Sequence, residues 1–167
     1  DGRYADKVND LRAIFSEFGL IRYRTIVELR WLQAMAENPT ILEVPAFSQD
    51  THAFLESIIT DFSMADAERI KDIEKKTQHD VKAVEYFIKE KFKHHKILQG
   101  LNEFIHFACT SEDINNIAYA LMLKETKEDV LIPLFDQLIA ALRDMVQKTA
   151  DLPMLSRTHG QPASPTT

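Results

Sequence analysis

Leu131-Ile132-Pro133-Leu134-Phe135-Asp136-Gln137-Leu138-Ile139-Ala140-Ala141-Leu142-Arg143-Asp144-Met145 is the stretch that decides the fold class. Leu131, Leu134, Leu138, Leu142 and Met145 recur at spacings of 3, 4, 4 and 3, the period of one helix face. A stripe this regular predicts a helix packing along its length, as in a bundle. Pro133 falls in the first turn, where its missing N–H is harmless. Working upstream, Ile114, Ile117, Leu121 and Met122 predict another long helix after Thr110-Ser111. Val8, Leu11, Ile14, Phe15 and Phe18 predict a first helix that Gly19 ends as a C-cap. A second should run from about Leu20 to Glu37 and stop before Asn38-Pro39. Ser48 reads as the N-cap of a helix carrying Leu55, Ile58 and Ile59, and Ser63 with Asp66 as a capping box for the next. A helix capped by Thr77 should begin near His79, and a short one should span about Leu98 to Phe107. No strand-period run of useful length is visible. The predicted fold is all-α: an N-terminal helical domain over residues 1–109, then the first long helices of a central bundle over 110–167.

Composition agrees. Four glycines in 167 residues are too few for the turns of a sandwich, barrel or doubly wound sheet. A net charge of −6 argues against a nucleic-acid surface, which needs a basic excess, but leaves room for a small anion held by a few cations. No apolar run approaches the roughly 20 residues of a membrane helix. The single Cys109 cannot form an internal disulfide, so a reducing, cytoplasmic location is expected. The chain opens without Met and stops in the polar segment Ser156–Thr167, and so reads as part of a longer one.

Four segments carry candidate chemistry. Thr110-Ser111-Glu112-Asp113 opens a helix, where hydroxyls and free N–H groups suit a carboxylate or phosphate; Ser111 acting only as a cap is the plainer alternative. In Ser156-Arg157-Thr158-His159-Gly160-Gln161-Pro162, His159 sits in a turn and can act as acid or base near neutral pH, or simply hold the loop. In Thr77-Gln78-His79-Asp80-Val81-Lys82, His79 and Lys82 would share one helix face and could serve one anion. Asp1-Gly2-Arg3-Tyr4 sets a guanidinium beside a phenol, and the guanidinium fork suits phosphate. Neither His52, taken as solvated, nor the adjacent His94-His95 pair has metal-ligand spacing, and no glycine-rich phosphate loop is present. No cofactor or metal is expected.

In their order and residues, these segments, with the run from Glu103 to Asn116, resemble the bacterial-type adenylosuccinate lyases of the fumarase/aspartase superfamily. The resemblance implies the N-terminal part of an all-helical enzyme of purine and AMP biosynthesis. Such an enzyme is homotetrameric, with active sites built from three subunits. It eliminates fumarate from adenylosuccinate to give AMP, and from succinylated aminoimidazole carboxamide ribotide. It further implies that His159 is the general acid and Thr158 a substrate contact. Thr110 and Ser111 would bind a succinyl carboxylate, and Arg3 and Tyr4 the nucleotide phosphate. Gln78, His79 and Asp80 would form a nucleotide-side cluster in which His79 supports catalysis; Gln78 stands where the family has Asn. His106 is either a supporting group or a core histidine. The superfamily's Met-Pro-x-Lys-x-Asn loop, with its catalytic base serine, is not within these 167 residues. Sister enzymes acting on other substrates and a non-catalytic helical module are the competing readings; Arg3-Tyr4 and His79-Asp80-Val81-Lys82 favour a nucleotide.

Overall fold

The computed structural model describes residues 2–167; Asp1 of the first motif lies outside the described residues. A 3₁₀ turn, Gly2–Lys7, leads to α1 (Asn9–Arg12), α2 (Glu17–Glu37), α3 (Gln49–Thr60), α4 (Met64–Thr77) and α5 (Asp80–Phe92). A second 3₁₀ segment, Leu98–Phe104, precedes α6 (Ser111–Glu125). A π-helical stretch, Thr126–Leu131, leads into α7 (Ile132–Thr149), and strands β1 (Met154–Thr158) and β2 (Gln161–Thr166) follow. The chain forms two compact units that divide after Thr126. The helical fold class is as expected.

In the first unit, α2 is the central helix. It is buried on nearly every side, with Ile21, Leu29, Leu32 and Met35 in the core and Arg24, Thr25, Glu28 and Gln33 equally enclosed. Leu55 of α3, Ile70 of α4, Phe87 and Ile88 of α5, and Leu98 complete the core around it. Phe62 meets Phe87 edge-on at 6.1 Å. Burying one such side chain contributes about 1.5–3 kcal/mol. The helix α6 lies along α2. Trp31 Nε1 donates to the Phe107 carbonyl, Arg24 to Asn115, and the Tyr23 hydroxyl to Glu125. Those partners run in opposite order along the two segments, so α6 is antiparallel to α2. Burial first, and then the Glu125 carboxylate, push the Tyr23 phenol up to about 12.

Caps set most boundaries. Ser48 Oγ accepts from Thr51 N at 3.2 Å. Ser63 and Asp66 form the expected capping box. The start of the chain departs from expectation. The predicted helix from Val8 to Phe18 is broken, because Ser16 turns extended and caps α2 by accepting from Gly19 N at 3.1 Å. Gly19 is therefore inside the first turn of α2 and is no C-cap. It is glycine for a steric reason: a Cβ there would lie 2.0 Å from the Ile14 carbonyl oxygen. The segment expected as a helix from Leu98 to Phe107 is 3₁₀ and ends at Phe104, and His106 and Ala108 then take left-handed φ of 63° and 57°.

The second unit is α7 and a β-hairpin. Every residue of α7 is exposed, including Leu134, Leu138, Leu142 and Met145 of its stripe. The hairpin corrects the expectation of no strand-period run: the polar segment Ser156–Thr167 lies within its two strands and turn except at its end. Its register pairs Thr158 with Gln161 and Met154 with Thr166, leaving His159-Gly160 as a two-residue turn. Both turn residues have positive φ, 51° and 77°, as a type I′ turn requires. Proline at 162 and 165 hid the strand, since prolines suit only edge strands, and both strands here are edges. Among the described residues no helix is long and apolar enough to cross a membrane.

Gly19→Ala tests the tight α1–α2 junction. Forcing a methyl group onto backbone should destabilise the protein by roughly 2 kcal/mol or more. Urea unfolding reads this directly, and an unchanged midpoint would show the junction to be slack.

Candidate functional site

Gln78, His79 and Asp80 form the junction between α4 and α5. Gln78 ends α4 in the left-handed conformation (φ 52°), with its Nε2 donating to the Lys75 carbonyl at 2.8 Å. His79, not Thr77, is the N-cap of α5: its Nδ1 accepts from Lys82 N at 3.1 Å. Thr77 instead donates its hydroxyl to the His79 carbonyl. His79 therefore stands just before α5, three residues ahead of Lys82, whose Nζ donates to Glu85 Oε2 at 2.7 Å. The cap fixes the ring, and in a neutral imidazole an accepting Nδ1 leaves the proton on Nε2, a donor directed away from the helix. Asp80 accepts from its neighbour Val81 N at 2.9 Å through Oδ1 and pairs with Arg24 through Oδ2 at 2.7 Å. Burial alone would raise the Asp80 carboxyl. The Val81 N–H and the Arg24 guanidinium outweigh it and hold the group below the usual carboxylate range.

Thr110 and Ser111 open α6, with Thr110 as N-cap and Ser111 the first helical residue. The Asp113 carboxylate accepts from Thr110 N at 2.8 Å, the return half of a capping box. The cap role considered for Ser111 thus falls to Thr110, and the Ser111 hydroxyl has no hydrogen-bond partner among the described residues. The lead-in to this helix start is pinned to α2. His106 Nδ1 lies 2.6 Å from Glu28 Oε1, and the Phe107 carbonyl accepts from Trp31 at 2.8 Å. Burial pushes the Glu28 carboxyl up by more than the His106 hydrogen bond pulls it down. His106 is thus a partnered, half-buried histidine. Burial, and then the Glu28 and Asp113 carboxylates, also raise the Cys109 thiol, which disfavours a nucleophilic thiolate.

Arg24 brings the two segments together. Its Nε donates to Asn115 Oδ1 at 2.9 Å while Nη2 holds Asp80. Arg24, Glu28 and Trp31 stand at i, i+4 and i+7 on α2 and face the 106–115 segment in turn. Sequence reasoning missed all three as site-forming groups. Glu17, Arg22, Arg30 and Glu37 also put charges on the same helix, so the pattern does not single out Arg24 and Glu28; only their burial does, since charges are rarely buried without a partner.

Arg3 and Tyr4 lie on the exposed first 3₁₀ turn, with the guanidinium 5.7 Å from the phenol ring centre. Arg3 has no ion-pair partner among the described residues. In the second unit, Thr158 ends β1 and His159 occupies the first position of the hairpin turn, exposed at its tip. His52, expected to be solvated, is half-buried: its Nδ1 is 3.3 Å from Gln33 Nε2 and its ring meets Phe47 edge-on. His95 caps the Leu98 N–H, and its ring lies tilted against Phe54 with centres 4.8 Å apart. Among the described residues no three of His, Cys, Asp and Glu gather to hold a metal ion.

Residues 2–167 match the family described as lyase. The chain belongs to the lyase family. This lyase-family chain is 59% identical over its whole length to an adenylosuccinate lyase of Vibrio cholerae. It is 56% identical over its whole length to adenylosuccinate lyases of Escherichia coli K12 and Haemophilus influenzae. The chain spans 37% of the length of each of these relatives.

Asp80→Asn tests the electrostatics of the junction. A carboxyl held low when folded stabilises the fold above its unfolded value, near 3.9, and that contribution disappears as pH falls through the folded value. The Asp80 side chain is 48% exposed, so solvent screening limits the loss at pH 7 to about 1 kcal/mol. The difference from the parent protein should be constant above about pH 5 and shrink toward pH 3. A gap equally large at pH 3 would refute this origin.

Proposed function

We propose that this chain is the N-terminal part of an adenylosuccinate lyase, an enzyme that eliminates fumarate from adenylosuccinate to leave AMP. The observation that carries the proposal is identity of 56–59% to adenylosuccinate lyases over the entire chain. The same enzyme would act on succinylated aminoimidazole carboxamide ribotide, whose leaving nitrogen and succinyl group are chemically alike.

The reaction needs a base to take the proton beside a carboxylate and an acid for the departing nitrogen. His159 is proposed as that acid, with Thr158 contacting substrate beside it. Its place at a turn tip supports this, since backbone there can approach a ligand closely. Thr110 and Ser111 would hold a succinyl carboxylate: the unpartnered Ser111 hydroxyl and the positive end of α6 both suit an anion. Donors held ready at that carboxylate stabilise the charge that develops as the proton leaves. Arg3 and Tyr4 would take the nucleotide phosphate, and Gln78, His79 and Asp80 the nucleotide side, with the His79 Nε2–H as a fixed donor. The catalytic base would come from sequence outside these 167 residues.

The proposal also includes a homotetramer with active sites shared among three subunits, a cytoplasmic location, and a division at 109/110 after which α6 and α7 open the central bundle. The fully exposed apolar stripe of α7 supports the bundle.

Fumarate release by the full-length protein tests the proposal. His159→Gln should lower kcat by roughly 100- to 10,000-fold, and an unchanged kcat would remove His159 from the acid role. The 167-residue chain alone should release no fumarate from adenylosuccinate even at high concentration. Turnover near that of the full-length protein would show the base to lie within it.

A further inference from the structure

Arg24 is a charged group that the proposed chemistry leaves unused, yet it is the most constrained cation of the first unit. Its side chain is 7% exposed. One planar fork reaches two elements at once, with Nη2 2.7 Å from Asp80 Oδ2 and Nε donating to Asn115 Oδ1 at 2.9 Å. Asp80 directly follows His79, whose ring is locked as the cap of α5. Asn115 lies four residues beyond Ser111, one turn along the same face of α6. The two anchor points of the guanidinium therefore each stand next to a group expected to grip substrate.

We propose that Arg24 is a positioning residue that sets the separation between the His79 imidazole and the Thr110-Ser111 helix start, and so the fit of a nucleotide bearing a dicarboxylate arm held at both places. This rests on the adenylosuccinate lyase reading. Being buried, Arg24 acts through Asp80 and Asn115. The guanidinium is rigid and its N–H directions are fixed, so neither anchor can shift without breaking a hydrogen bond to a buried charge. The α2 backbone around it is held by the core on the same helix, Ile21, Val27 and Leu29. A lysine could satisfy Asp80 with a point charge on a flexible stem, but it would not fix the distance to Asn115.

The test compares Asn115→Leu, Asn115→Asp and Arg24→Lys in the full-length protein, each assayed well below its unfolding midpoint. Asn115 is half-buried, so its variants guard against a misfolded Arg24→Lys. Asn115→Leu and Asn115→Asp both lose the amide that donates to Glu112, and Asn115→Asp keeps the oxygen that accepts from Arg24 while adding a charge beside Glu112. Asn115→Leu should raise KM for adenylosuccinate and lower kcat/KM by at least about 10-fold, since misplacement by about 1 Å can lose on the order of 100-fold. Asn115→Asp, which keeps the acceptor, should stay within about threefold of the parent. Arg24→Lys should match Asn115→Leu, and the double variant should lose no more than the worse single, because both break one link.

A purely structural role predicts something else: lower unfolding midpoints with kcat and KM unchanged. That result, or losses that multiply in the double variant, overturns the inference. Absence of fumarate release by the parent full-length protein would sink the lyase reading and this inference with it. An active parent with unaffected variants sinks the inference alone.

Discussion

A buried arginine, Arg24, is the constraint on which the first unit depends. Removing such a charge from water is unfavourable by several kcal/mol unless both its charge and its donors are matched. In the folded protein Asp80 of α5 meets the charge and Asn115 of α6 accepts from one of its donors. One turn further along α2, the buried Glu28 makes a similar demand and His106 answers it. Trp31, a turn beyond, adds a hydrogen bond to the backbone between them. Packing of α2 and placement of the 79–80 and 110–111 segments are thus tied through the same side chains. A polar stripe on the central helix is what couples apolar packing to the geometry of the surface groups.

Much of this was legible from the sequence, but unevenly. The helices came through because their apolar residues recur at 3 and 4, and Ser48 and Ser63 marked two starts as a cap should. The opening helix misled because Val8, Leu11, Ile14, Phe15 and Phe18 keep helical spacing across a break. Periodicity is blind to Ser16 capping a new helix and to a glycine pressed against a carbonyl. The hairpin was hidden because two prolines and no alternation mask a strand, while its real signal was the two-residue turn, written as His-Gly instead of the commoner Asn-Gly.

The candidate segments were visible as clusters of polar residues at helix starts and in a turn. Their internal wiring was not. Which of Thr77 and His79 caps α5, and which of Thr110 and Ser111 caps α6, depends on backbone angles one or two residues apart. Arg24 and Asn115 are separated by 91 residues, and no local pattern joins them. Long-range pairs of this kind are set by how helices pack, so they appear only once the helices are in place.

The hairpin turn has a consequence for anyone seeking a sturdier protein. His159 holds a left-handed backbone that Asn or Gly would adopt with less strain, a difference on the order of 1 kcal/mol. Selection for stability alone would thus favour replacing the imidazole with asparagine, tightening the turn while discarding the proton donor proposed there. A library screened by melting temperature would enrich for inactive protein at this position, and only a screen that also demands turnover would keep the histidine.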